Sequence, residues 1–218
     1  MARAAKRRAP ARAPKRASTV SSKNGELRAL RRSQIVTAAR ALVAAGGLLA
    51  LTFGALEQQL GFSRGVLTYH FADKDEIVAA LLQSAVSEID DATSEKLGAS
   101  ATLEDAVRAV LRTKVYGFLG HPEAAEILIA FWSRPRSSGV RDWTATLFSG
   151  YRAQAAALVR AARRADPRCR ADPAAMAALL VGIVIGLVVQ VRFEPASVGV
   201  EPALEEAAQT LIARLLPR

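Results

Sequence analysis

Apolar residues recur along the chain at spacings of three and four, and no sustained alternation of apolar and polar positions appears. Ile35, Ala39, Leu42 and Val43 fall on one stripe of a helix predicted over about 27–45, and Gly46-Gly47 supplies its stop. Thr52 caps a short helix that turns Phe53, Leu56 and Leu60 inward. Gly61 breaks that helix, because a tight turn between helices needs a positive φ. Phe62 plugs the space between the helices, and Ser63 is placed as the N-cap of another helix from Arg64 to about Phe71. Asp73-Lys74-Asp75-Glu76 then has the form of a capping box, with acids on the positive end of a helix. That helix carries Ile77, Ala80, Leu81, Ser84, Ala85 and Ile89 on one stripe and ends near Leu97-Gly98.

The second half follows the same grammar. Thr102 precedes Leu103, Val107, Val110, Leu111 and Phe118, and Pro122 opens a segment with Ile127, Leu128, Phe131 and Trp132. A Ser/Gly/Pro/Arg loop over 134–139 leads into a helix through Trp143, Leu147, Tyr151, Ala155 and Leu158. Asp172-Pro173 is an N-cap followed by a proline at the first helical position, and this helix ends near Phe193-Glu194-Pro195. A last helix is predicted over about 201–216. The expected fold is all-α: a three-helix N-terminal unit over 27–72 and a larger helical body over 73–218.

Charge changes the picture at the N-terminus only. Residues 1–32 hold eleven Lys/Arg and one acid, Glu26, a surplus equal to the +10 of the whole 218-residue chain. The rest of the chain is balanced. Residues 1–26 read as a disordered basic arm, either a solvated tail or a polyanion binder. The arm is rich in Arg and Ser but lacks the apolar face of a targeting helix and the apolar run of a secretory signal. Cys169, the one cysteine, allows no intrachain disulfide and fits a reducing compartment, so a cytoplasmic location is expected. Ala174–Val189 is uncharged, but sixteen residues at about 1.5 Å each fall short of a bilayer core of about 30 Å. A buried core or interface helix is expected there, and no membrane partner.

Candidate chemistry is sparse. His70, His121 and Cys169 have no ligand spacing with carboxylates, so no metal site is expected. No nucleophile elbow, phosphate loop or dinucleotide-binding turn occurs, which argues against an enzyme and against a bound cofactor. Cys169 lies in an Arg/Asp/Pro loop with no evident base. His121 reads as a capping or surface residue, and Arg134, Arg136 and Arg141 as loop charges.

What remains is the pair of helices around Gly61. A second helix held across a tight turn can enter a DNA major groove with its N-terminal residues toward base edges. The positions expected to be exposed are Arg64, Gly65, Val66, Thr68, Tyr69 and His70, and Ser63 before them is a further DNA-binding candidate. Arg64 can donate two hydrogen bonds to guanine, and Val66 can meet a thymine methyl. Gly65 allows close approach, and Tyr69, His70 and Lys74 carry donors suited to phosphate.

The run Leu60-Gly61-Phe62-Ser63-Arg64-Gly65-Val66-Leu67-Thr68-Tyr69-His70-Phe71-Ala72-Asp73-Lys74-Asp75-Glu76-Ile77, with Thr52-Phe53-Gly54-Ala55-Leu56 before it, closely resembles the DNA-binding signature of TetR/AcrR-family transcriptional regulators. The resemblance covers about residues 30–82. The later half, with Phe131-Trp132 and the Asp172-Pro173 helix, is similar to the ligand and dimer domain of the BetI-like branch. The resemblance implies a homodimeric repressor that binds a double-stranded, near-palindromic operator and releases it when a small effector binds. It places Thr52, Arg64, Val66, Tyr69, His70 and Lys74 at DNA-contacting positions and the dimer interface in helices of about 172–193 and 201–216. Gly54 and Thr68 depart from the family pattern, where a polar base reader and an aromatic are common. The basic arm is placed to compensate by entering the flanking minor groove.

Tyr116, Phe118, Phe131, Trp132, Trp143, Phe148 and Tyr151 gather in the helices of the body. They read either as the wall of an apolar effector cavity, with Tyr116, Phe131, Trp132, Trp143, Phe148 and Tyr151 as its contacts, or as ordinary core packing. Two other functional classes stay open: a DNA-binding helix-turn-helix protein without small-molecule control, and an enzyme or ligand carrier built on the helical body.

Overall fold

The computed structural model describes residues 18–132 and 138–216, with side chains over 24–130 and 142–216. Nine helices and no strand occur among the described residues: α1 (Ser18–Ala50), α2 (Phe53–Leu60), α3 (Arg64–His70), α4 (Lys74–Gly98), α5 (Leu103–Gly120), α6 (Pro122–Trp132), α7 (Ser138–Ala165), α8 (Pro173–Phe193) and α9 (Val200–Leu215). The fold is all-α.

The capping chemistry is realised where the sequence places it. Thr52 accepts from the Ala55 N–H at 3.1 Å, and Asp73 accepts from the Glu76 N–H at 2.8 Å. Thr102 and Asp105 form a reciprocal box, and Asp172 accepts from the Ala175 N–H at 2.7 Å. Gly61 ends α2 at φ 66°, the left-handed conformation that lets α3 turn back across α2.

The start of α1 corrects the expected disordered arm over residues 18–26, which are helical here; residues 1–17 lie outside the described residues. No proline interrupts the chain between Pro14 and Gly46, so each upstream residue adds a hydrogen bond to an existing helix at little nucleation cost. Gly46 and Gly47 are both non-helical, so regular helix stops at this pair as expected, and α1 continues past it only as a short piece across a kink. Gly47 adopts φ 69°, and helix resumes as far as Ala50.

One apolar cluster runs through the molecule. Ile35, Ala39 and Val43 of α1 meet Leu56, Leu67 and Phe71 from the α2–α3 unit, and the cluster continues through α4 into the body. Helix α4 buries the predicted stripe of Ile77, Leu81, Ala85 and Ile89, and also Val78, Leu82 and Val86, because it packs against α1, α5, α6 and α7 together. At Gly117 an added Cβ would stand 2.8 Å from Ile89 Cγ1, so α4 and α5 cross closely there.

Helix α8 is the exception to burial. Ala177, Val184 and Val188 face inward, while Leu179 is 49% and Phe193 72% exposed. The apolar run is longer than the uncharged stretch suggested: Pro173–Phe193, like Asn24–Ala50, is long and apolar enough by length and composition to cross a membrane. Within the chain, α8 packs along α7 and against α5 and α9.

Candidate nucleic-acid interface and ligand cavity

Helix α3 is short and exposed on most of its circumference. Ser63, Arg64, Gly65, Val66, Thr68 and Tyr69 all reach solvent, and Leu67 anchors the helix in the core. Thr52, the N-cap of α2, is exposed as well. Its oxygen accepts the capping N–H, which leaves the hydroxyl proton free to donate outward. Ser63 occupies the N-cap of α3 without a side-chain cap bond. Thr68 donates back to the Arg64 carbonyl at 3.0 Å. The Arg64 guanidinium lies 4.4 Å from the Phe53 ring centroid, which fixes the stem of the side chain against α2. At Gly65 the nearest atom to an added Cβ is 4.0 Å away, so the glycine serves nothing in the internal packing.

His70 is corrected. It is 7% exposed and shares the inner face of α3 with Leu67, three residues earlier. Its Nδ1 is buried without a hydrogen-bond partner, and its carbonyl accepts from Arg32. Burial, and then the positive charges of Arg28, Arg32 and Arg31, push the imidazole below its ordinary pKa. The unfolded chain therefore takes up this proton first, and stability is lost as pH falls through about 6.5. Between pH 7.5 and 5.5 the native chain is expected to lose more melting temperature than a His70→Phe variant, as read by circular dichroism. Equal losses would remove His70 as the cause.

Lys74 also differs from expectation. Its ammonium donates to the Leu48 carbonyl at 2.6 Å, just past the α1 kink, instead of standing in solvent. At the same residue, the Glu126 carboxylate of α6 accepts from the Leu48 N–H at 2.8 Å. An added Cβ at Gly47 would stand 2.9 Å from that carboxylate oxygen. One residue, Leu48, is thus held by the helix that follows α3 and by a helix of the body.

Three arginines of α1 have a packing role that their place in the basic region does not announce. Arg28 stacks near Tyr69 at 5.6 Å, Arg31 on Phe62 at 4.6 Å and Arg32 on Phe71 at 4.0 Å. Arg32 also pairs with Glu76 at 3.3 Å, and Glu76 accepts from the Ala72 N–H at 2.8 Å. The i, i+3, i+4 spacing of these arginines is the signal the sequence offers. Further along α1, Arg40 bonds Glu88 of α4 at 2.6 Å and lies 3.1 Å from buried Glu123 of α6, which tightens the same junction.

The body contains a cavity of about 880 Å³. Its wall is mostly aliphatic, supplied by α4, α5, α6, α7 and α8, and it includes the predicted Phe148 and Tyr151. Its polar part is Asp90, Thr93, Ser94, Lys114, Tyr151 and Gln154, with Thr144 also on the wall. Lys114 is buried, ion-pairs with Asp90 and points its ammonium at the Tyr151 ring, 4.2 Å from the centroid. Burial lowers the Lys114 pKa, and the Asp90 carboxylate opposes that shift. Burial, reinforced by the Asp90 charge, holds the Tyr151 phenol far above its usual range, so it stays protonated.

Of the other predicted cavity residues, Tyr116 is corrected. It is 40% exposed on the outer side of α5, donates to Glu201 of α9 and lies beside Arg112. Trp143 packs on the core without lining the cavity. Phe131 and Trp132 close α6, and their side chains lie outside the described residues. Sequence reasoning missed the two charged residues of the described wall, Lys114 and Asp90. Cys169 is buried, and no group of three metal-ligating side chains occurs among the described residues.

A three-helix head presenting a short exposed helix, joined to a helical body with an apolar cavity, defines a helix-turn-helix regulator. Residues 35–81 match the model of bacterial regulatory proteins of the tetR family, and residues 99–217 match the BetI-type transcriptional repressor C-terminal model. The chain belongs to the TetR family of DNA-binding transcriptional regulators, in its BetI-type branch, which is a family of regulators and not of enzymes. The HTH-type transcriptional regulator BetI of Burkholderia pseudomallei (strain K96243) is 28% identical over 112 residues, 50% of this chain and 56% of its own. BetI of Rhizobium meliloti (strain 1021) is 26% identical over 109 residues, 50% of this chain and 54% of its own. The chain thus spans about half the length of the curated relatives it matches. A transcriptional regulator from Saccharomonospora viridis, solved in complex with choline, shares the fold at TM-score 0.72 and 18% identity, over 84% of this chain and 96% of that one. A transcriptional regulator from Rhodococcus sp. Rha1 does so at TM-score 0.70 and 22% identity, over 83% and 95%.

Proposed function

We propose that the chain is a cytoplasmic, homodimeric repressor whose α3 reads a near-palindromic operator and whose cavity takes a small apolar or amphipathic effector that releases the DNA. The observation that carries this reading is the junction at Leu48. The helix that lines the cavity with Ala125, Leu128 and Ile129 also sends Glu126 to Leu48 at the α1 kink, and Lys74, which opens α4 just after α3, grips the same residue. A ligand that repositions α6 biases the pose of α3, so ligand and DNA prefer different conformers. A protein that only bound DNA would have no use for a cavity of 880 Å³ tied to its reading head.

Within this reading, the head spans 27–72 and the body 73–218. Thr52, Ser63, Arg64, Gly65, Val66, Thr68 and Tyr69 form the DNA face. His70 and Lys74 act from behind, by holding α3 and the kink. Arg28 and Arg31 extend the positive surface along α1. Helices α8 and α9 pair across a two-fold axis. Ala175, Ala178, Leu179, Gly182, Gly186 and Phe193 fall on one stripe of α8, and the small residues let a partner backbone approach.

The test is selection of DNA from a random pool, then binding of the winner across a salt series with the full chain and with residues 1–24 removed. An enriched inverted repeat is expected. Removing the arm should flatten the log–log salt slope by about 0.9 for each phosphate the arm neutralises. Failure to enrich any sequence overturns the operator reading. The junction has its own test. In Glu126→Ala, hydrogen exchange at the Leu48 amide is expected to speed up by about tenfold, the loss of roughly one hydrogen bond, and operator affinity is expected to change. Glu126→Gln keeps an acceptor oxygen and should restore both. Unchanged exchange in the alanine variant would show that the bond does not hold the kink.

A further inference from the structure

We propose that the cavity takes an apolar-chain molecule whose one polar end is a hydrogen-bond-accepting oxygen, a carboxylate or carbonyl, held by Lys114, and that it does not take a quaternary ammonium. This rests on the reading of the cavity as an effector site.

Among the described residues the wall carries two charged side chains, Lys114 and Asp90, and they are already paired with each other. The described wall thus has a net charge of zero and no unpaired anion to meet an incoming cation. Cations are also held by the faces of aromatic rings. Of the aromatic rings on the described wall, Phe118, Phe148 and Tyr151, the one beside the charged pair is Tyr151, and a face of it is taken by the chain's own ammonium, 4.2 Å from the centroid. A quaternary ammonium docked at this end would stand beside Lys114 and be repelled by it. The site is in effect filled with its own cation.

An oxygen acceptor meets the opposite situation. An ammonium has three N–H donors. Lys114 gives one to Asp90 and turns toward the Tyr151 ring, and among the described residues no second oxygen accepts from it. Asp90 is on the more open side of the pair, with about a third of its side chain exposed against 7% for Lys114. A ligand carbonyl can therefore add to the ammonium with the pair intact, and a ligand carboxylate can replace Asp90 while Asp90 turns to water. Thr93 and Ser94 lie one turn beyond Asp90 on α4, so hydroxyls flank the same end. Apart from Gln154 and Thr144, the remaining described wall, with Leu97, Val110, Leu128, Leu158, Val184 and Ile185, offers apolar contact to the body of the molecule.

The probes are sodium decanoate, methyl decanoate and choline chloride, titrated calorimetrically into the full chain, with melting temperature read in parallel. Decanoate or its ester is expected to bind and raise the melting temperature, and choline is not. Lys114→Met keeps the stem beside Tyr151 and removes the donors; it should weaken binding by about tenfold or more, the effect of one charge-assisted hydrogen bond. Asp90→Asn removes the carboxylate that competes with a ligand carboxylate for the ammonium; it should tighten decanoate by about tenfold and leave the ester nearly unchanged. Preference for the acid assigns the polar end to a carboxylate, and preference for the ester to a neutral carbonyl. Choline binding more tightly than both, binding of neither chain compound, a Lys114→Met variant that binds like the native chain, or a preference for the acid that Asp90→Asn does not strengthen would each overturn the proposal. Operator release in the same samples separates the two levels. A bound acid or ester that leaves DNA affinity unchanged removes the effector reading and keeps the ligand class, whereas release by choline keeps the effector reading and removes the ligand class.

Discussion

Gly182→Glu and Leu179→Glu variants are expected to run as monomers in light scattering and to bind an inverted-repeat operator about 10²–10⁴-fold more weakly than the native chain. The size of the effect comes from geometry. A two-fold dimer places its second head on DNA at the effective concentration fixed by the first, and a monomer forfeits that gain even though each head still docks as before. The α8 stripe suits the test because it is idle within the chain. An added Cβ at Gly182 meets nothing within 4 Å, and Leu179 is half exposed. Neither glutamate should disturb the isolated protomer, so helix content should be preserved. A dimer that survives both changes would move the interface away from α8. A monomer that still bound the repeat at native affinity would break the link between pairing and recognition.

Arg64→Ala is expected to weaken binding to the selected operator by roughly 5–150-fold, the loss of about 1–3 kcal/mol from one bidentate contact, and to relax preference at one base pair. The salt slope decides the kind of contact. A base reader leaves it nearly unchanged, whereas a phosphate contact lowers it by about 0.9. Arg64→Lys should recover the charge without the fork and restore little of the base preference. The same change removes the stacking on Phe53. An exposed cation–π pair contributes about 0.5–1 kcal/mol, which for a chain of this size lowers the melting temperature by roughly 1–4 °C. A larger fall would mean that Arg64 holds the α2–α3 unit together more than it reads DNA. Unchanged affinity and preference would remove Arg64 from the interface.

The head was legible in the sequence because its constraints are local. Gly61, Thr52 and Asp73 each act within four residues of their own position, and each does in the structure what its type dictates. His70 was misplaced although the signal was present: with Leu67 inward, the residue three further on shares its face. Tyr116 failed for a related reason. The α5 stripe of Val107, Val110, Leu111, Lys114, Val115 and Phe118 leaves position 116 on the outer side. The same stripe contains the clue to the polar end of the cavity, a lysine where an aliphatic residue belongs. Its partner on α4 lies 24 positions earlier, and no local rule joins the two. The Leu48 junction was out of reach for the same reason, since Glu126 is 78 positions away. Long-range polar contacts leave no periodic trace, and the sites that depend on them become visible only after folding.

The kink in α1 also bears on how this chain can diverge. Gly47 is held to glycine twice over, by a φ of 69° and by a carboxylate 2.9 Å from where a Cβ would stand. A side chain there would strain the backbone and push Glu126 off the Leu48 N–H. Shortening Glu126 first would open the space but leave that N–H to find water. Each change alone degrades the junction, and the two together exchange it for a different one. Positions 47 and 126 should therefore covary in descent: lineages that keep glycine at the first keep an acceptor at the second, and lineages that lose one have lost both.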